Sequence, residues 1–195
     1  TSPTVAKDML VNMTDWSEEH YKVNAERYLQ RLILLMNKAE IPLSFQSIVK
    51  FMELDNFTLL STQLVKEKQI SKERHLENLE IAKTSGKVAE NSIARFSTIA
   101  ESELGEIFSD TGIDIATALK EKAIIIFILN PLIYPELSPA FGRLVLIDSK
   151  KAISQRFNSR NRTFFLFDEI NVYASKTLID LVNKSRSANV TCVLA

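Results

Sequence analysis

One cysteine, four scattered glycines, no long apolar run and no net charge define what this 195-residue chain is not built to be. Cys192 has no second cysteine to pair with inside the chain, so a disulfide scaffold is excluded. Its setting, Val190-Thr191-Cys192-Val193-Leu194, reads as a strand in which the thiol is a small buried hydrophobe. The longest apolar stretch, Ala123 to Leu129, is seven residues. A helix needs about 20 to cross a bilayer. No secretory leader pattern is read, and any membrane anchor is expected to lie in sequence not present here. The glycines stand alone at 86, 105, 112 and 142. None begins the pattern G-x-x-x-x-G-K-[ST], and the two Lys-Thr pairs, Lys83-Thr84 and Lys176-Thr177, follow no glycine. Without that loop's backbone N–H groups and lysine, tight triphosphate binding has no physical basis, and the chain alone is expected to be inactive.

Charge is balanced, 24 basic residues against 24 acidic, so no global positive field advertises nucleic-acid binding. The balance hides a modest asymmetry. Residues 1–120 carry 14 Lys/Arg and 18 Asp/Glu, whereas residues 121–195 carry 10 and 6. A solvated surface accounts for this as well as a partner would.

Periodicity divides the chain at about the same place. Up to residue 120 the apolar spacing is helical. Ser2-Pro3 reads as an N-cap followed by proline at the first helical position. Asp15 or Ser17 is expected to open a helix through Ala39, with Trp16, Val23, Tyr28, Leu32, Leu35, Met36 and Ala39 on one broad face. Ser44 starts a short helix, and Phe57, Leu60, Leu64 and Val65 mark another. Ser71 caps the longest element, roughly 72 to 108, with Ser85-Gly86 as its one plausible kink. Asp114 caps a final short helix.

The pattern then changes. Ala123 to Leu129 is a continuous β-branched run, the mark of a strand buried on both faces. Ser138-Pro139 opens a helix to about Phe157, Thr163 to Phe167 is a second buried strand, a helix covers Ser175 to Ser187, and Val190 to Leu194 is a third strand. Alternating strands and helices imply parallel pairing. The fold class expected is mainly α with a small α/β part: four to six helices over 1–120, joined to three parallel strands over 121–195. Three strands are too few for a free-standing α/β domain, and the chain stops on an apolar strand, so it is expected to be a piece of a larger fold.

The strongest chemical signal is Phe164-Phe165-Leu166-Phe167-Asp168-Glu169. Four apolar residues followed by two acids place both carboxylates at the carboxyl end of a strand, where open α/β sheets bind ligands. In P-loop nucleoside-triphosphatases the first acid of such a pair holds Mg²⁺ through its water shell, and the second orients or deprotonates the attacking water. The plain alternative is two acids favouring the start of the next helix. The cluster Lys150, Lys151, Arg156, Arg160 and Arg162 could face DNA, but a solvated face explains it better. His20 and His75 lack metal-ligand spacing and are expected to be exposed. Trp16, Tyr21 and Tyr28 are expected to pack in the core rather than to form a partner patch.

The stretches Ala123-Ile124-Ile125-Ile126-Phe127, Phe164 to Ile170 and Asn183-Lys184-Ser185-Arg186-Ser187-Ala188-Asn189-Val190 together resemble the TraG/TraD-like coupling proteins of conjugative type IV secretion. These are hexameric inner-membrane ATPases in which a helical "all-alpha" domain is inserted in a RecA-like motor domain, ahead of the acidic strand. The resemblance is carried by motif over about 120–195, and by position and class alone over 1–120. It implies that Asp168 assists Mg²⁺ binding, that Glu169 is the catalytic acid/base, and that Arg186 reaches a neighbouring subunit's nucleotide. Arg186 also reads simply as a cation at a helix C-terminus. The resemblance further implies ATP and Mg²⁺ as cofactors of the intact protein and assembly as a homo-hexamer at the cytoplasmic face of the membrane. It implies three partners: a relaxase or accessory relaxosome protein, single-stranded DNA, and the secretion channel. Two rivals stay open, another RecA-like DNA translocase or secretion ATPase, and a non-enzymatic helical interaction module.

Overall fold

The computed structural model describes residues 2–13, 16–102, 105, 112–156, 161–169 and 176–195. Chain contacts gather into two compact units, one of Thr1–Val11 with Asp15–Gly112, the other of Asn12–Thr14 with Ile113–Ala195.

The regular elements among the first unit's described residues are helices: α1 (Pro3–Asn12), α2 (Glu19–Lys38), α3 (Phe45–Met52), α4 (Leu54–Lys66), α5 (Lys72–Ile81) and α6 (Lys87–Ala100). Side-chain caps start several of them. Ser2 Oγ accepts from the Val5 N–H at 3.4 Å, Ser44 Oγ from the Ser47 N–H at 3.1 Å, and Ser71 Oγ from the Arg74 N–H at 3.1 Å. The second helix departs from the sequence reading. It begins at Glu19 behind Glu18, which makes no side-chain cap bond, so Ser17 does not open it; Asp15 lies outside the described residues.

Between α5 and α6 the chain widens into a π turn, Ala82–Gly86, at the expected Ser85-Gly86 position. The turn packs against α2 and α4. A side chain on Gly86 would meet Leu54 Cδ2 at 2.2 Å, so glycine lets the backbone approach that side chain. Helicity continues through Ala100; of the stretch expected to carry it to 108, residues 103, 104 and 106–108 lie outside the described residues.

Tyr28, Leu29, Leu32, Ile33 and Met36 on α2 are buried, as are Met52 on α3, Phe57 and Leu64 on α4, and Phe96 on α6. Their spacing by three and four residues is what turns one face of each helix inward. The Tyr28 and Phe57 rings lie 4.8 Å apart, and the Tyr28 hydroxyl donates to the Met52 carbonyl at 2.8 Å. Burial, with a smaller contribution from Glu90, pushes the phenol's pKa well above its ordinary value. Tyr28→Phe should cost about 1 kcal/mol, because the buried Met52 carbonyl loses its donor. A phenol whose folded pKa is raised stabilises the fold fully below its unfolded pKa and loses that contribution as pH rises past about 10. Urea midpoints from pH 8 to 11 should therefore fall for the wild type and fall less for Tyr28→Phe.

The second unit holds α7 (Ile115–Lys120), α8 (Leu137–Ser154), β1 (Thr163–Phe167), α9 (Lys176–Ser185), a 3-10 turn (Arg186–Ala188) and β2 (Val190–Leu194). Asp114 caps α7 as expected, accepting the Thr117 N–H at 2.6 Å. Its bonds to Thr117, chiefly the backbone N–H, hold its carboxyl below the usual carboxylate range, helped weakly by Lys151 and Lys120. The group is exposed, so screening keeps the benefit small, and Asp114→Ala should cost about 0.5 kcal/mol at neutral pH. A depressed pKa contributes above the unfolded value of about 3.9 and is lost as pH falls through the folded one. The difference between the variant and wild-type urea midpoints should thus vanish in acid.

β1 and β2 pair in parallel, Thr163 opposite Val190 through Phe167 opposite Leu194, as the strand-helix-strand order requires. Phe165, Phe167 and Cys192 line one face and pack on a cluster of Leu146, Ile153, Leu178, Leu181, Ala188 and Val190. Two expectations fail here. Ala123 to Leu129 is not a strand: the described sheet has two strands, and Ile124, Ile126 and Ile128 are 91%, 79% and 88% exposed. A strand exists through the hydrogen bonds of a neighbour, which β-branched composition alone cannot supply. Nor is β1 buried on both faces, because Phe164 and Leu166 face outward at 57% and 76% exposure while Phe165 and Phe167 turn in. No helix among the described residues is long and apolar enough to cross a membrane.

Candidate functional site

Local chemistry fixes β1 at its start. The Thr163 N–H donates to the Asn189 carbonyl at 3.2 Å, and Arg156 Nη1 donates to Thr163 Oγ1 at 2.7 Å. Asn189 enters β2 from a left-handed conformation, φ 57°, which an asparagine side chain tolerates. At the far end the Ala195 N–H donates to the Phe167 carbonyl at 2.9 Å, extending the pairing to the point where β1 gives way to Asp168-Glu169.

Both acids are exposed at that carboxyl end. The Glu169 N–H donates back to Asp168 Oδ1 at 3.1 Å, and Glu169 is left-handed, φ 51°. Five described non-glycine residues have positive φ. Glu40, Lys68, Lys122 and Asn189 each sit just past a helical segment, where the left-handed turn satisfies the last carbonyls. Glu169 is the exception, since it follows a strand. A bulky residue held there stores about 1 kcal/mol or more of backbone strain, and strain that no helix end accounts for clusters at working sites.

Chemically, an exposed carboxylate suits Mg²⁺, a hard cation that keeps most of its waters and needs few protein oxygens. Asp168 fits that donor role. Glu169, adjacent and exposed, could accept a proton from a water held in front of the strand end.

Arg186 lies elsewhere. It opens the 3-10 turn that leads into β2, and the parallel register puts that turn at the amino end of the sheet. The acids occupy the carboxyl end, and a five-residue strand is about 13 Å long. The second unit therefore does not bring Arg186 and Glu169 together. Its place directly after α9 matches the helix-terminus reading of the arginine.

The basic cluster is largely engaged inside its own unit. Lys150 Nζ meets Asp180 Oδ2 at 2.8 Å, Lys151 meets Asp148 at 3.6 Å, and Arg156 holds Thr163. Arg162 is exposed, and Arg160 lies outside the described residues. Of the aromatic trio, Tyr28 is core, Tyr21 is exposed, and Trp16 is half-buried with its indole N–H donating to the Val11 carbonyl at 2.7 Å. His20 is exposed.

His75 is not, which corrects the sequence reading. It is partly buried, with Nδ1 2.9 Å from Ser61 Oγ, and Asn78 Nδ2 donates to the same hydroxyl at 3.1 Å. Ser61 and Asn78 are 0% exposed, so this serine–histidine contact joins α4 to α5 where no substrate reaches it. Separations of 14 and 17 residues gave no hint of the trio in the sequence. Among the described residues no three His, Cys, Asp or Glu side chains gather as a metal site.

Set against models of known protein families, curated proteins and solved structures, the chain matches none.

Proposed function

We propose that the chain is part of a nucleotide-driven translocase of the TraG/TraD-like coupling type, carrying its helical domain and the acidic-strand part of its RecA-like motor. One observation carries the reading: Asp168 and Glu169 stand together at the carboxyl end of a strand paired in parallel, where α/β enzymes place reacting groups. The left-handed backbone of Glu169 and the β1–α9–β2 order that follows it support the same reading.

In this proposal ATP is the fuel and Mg²⁺ supplies charge neutralisation at the phosphates. Asp168 would hold the hydrated ion through its carboxylate. Glu169 takes the proton of the attacking water. The phosphate-binding loop comes from sequence outside these residues. Arg186, remote from Glu169 in its own unit, would act on a nucleotide held by a neighbouring subunit of a hexamer. The helical unit would select a relaxase or accessory protein bound to single-stranded DNA, at the cytoplasmic face of the membrane beside the secretion channel. Such selection requires a discriminating surface rather than catalytic groups.

The test is ATP hydrolysis by a polypeptide that joins this chain to a phosphate-binding loop, compared between wild type and Glu169→Gln. Capture of relaxase by residues 1–120 tests the cargo role separately. Relaxase capture with no ATP turnover in the joined polypeptide would leave the non-enzymatic interaction module as the better description.

A further inference from the structure

We draw no further inference here: the strongest candidate, the charge-free Ala123–Ile133 segment of the second unit, with Ile124, Ile126 and Ile128 turned to solvent, is an unpartnered apolar face and nothing in the structure shows what covers it.

Discussion

In a polypeptide that joins this chain to a phosphate-binding loop, Glu169→Gln is expected to lower ATP turnover about 100-fold or more while leaving nucleotide binding intact. The size follows from the role. A positioned general base contributes roughly 10²–10⁴ in rate, and an amide of the same shape cannot take the proton. Binding is expected to survive because in the proposed function the ion would be held by Asp168, which the substitution does not touch. Asp168→Asn should behave differently, raising the Mg²⁺ concentration needed for half-maximal binding. Glu169→Gly provides a control with opposite signs in two readouts. Glycine adopts φ 51° without the steric cost of a side chain, so thermal stability should rise by about 0.5–1 kcal/mol while turnover is lost. A Glu169→Gln enzyme that hydrolyses ATP at the wild-type rate would remove Glu169 from the chemistry. A Glu169→Gly protein less stable than wild type would show that the side chain, not strain, governs that position.

Phe57→Ala is expected to cost about 3–5 kcal/mol, a large share of the roughly 5–15 kcal/mol that holds a domain folded. The ring is fully buried on α4 against Tyr28, so its removal leaves a cavity that the surrounding helices can only partly close. Two residues along, Leu59 is 65% exposed, and Leu59→Ala should change stability by no more than about 0.5 kcal/mol. Denaturant titrations followed by helical circular dichroism measure both. Equal losses for the two variants would mean that α4 does not present the face described here.

Much of the helical structure in both units could be read directly from residue spacing. Ser44, Ser71 and Asp114 announced their caps because an N-cap is a local device: a short polar side chain reaches an N–H three residues on. Ser85-Gly86 was recognisable as a break for the same reason, although the π turn it became depends on how α2 and α4 pack against it. Glu18 was not recognisable, since it starts α2 without a cap bond. The parallel pairing of β1 and β2 followed from the helix between them, and the position of Asp168 and Glu169 followed from the length of the strand before them. The left-handed turn at Glu169 had no local signal, because glutamate carries no preference for positive φ.

By itself the sequence determined the helical and strand periods, the capping residues, the two acids at a strand end and the missing phosphate loop, all properties that adjacent residues settle among themselves. Tertiary structure alone decided which apolar runs become strands and which faces are covered. Ala123 to Leu129 and Thr163 to Phe167 are both short β-branched or aromatic runs, yet only the second has a neighbour to pair with among the described residues. It also separated Arg186 from Glu169 by the length of a strand, and it sealed His75 against Ser61. Pairing, burial and distance are relations between residues far apart in the chain, and no single stretch of sequence contains them.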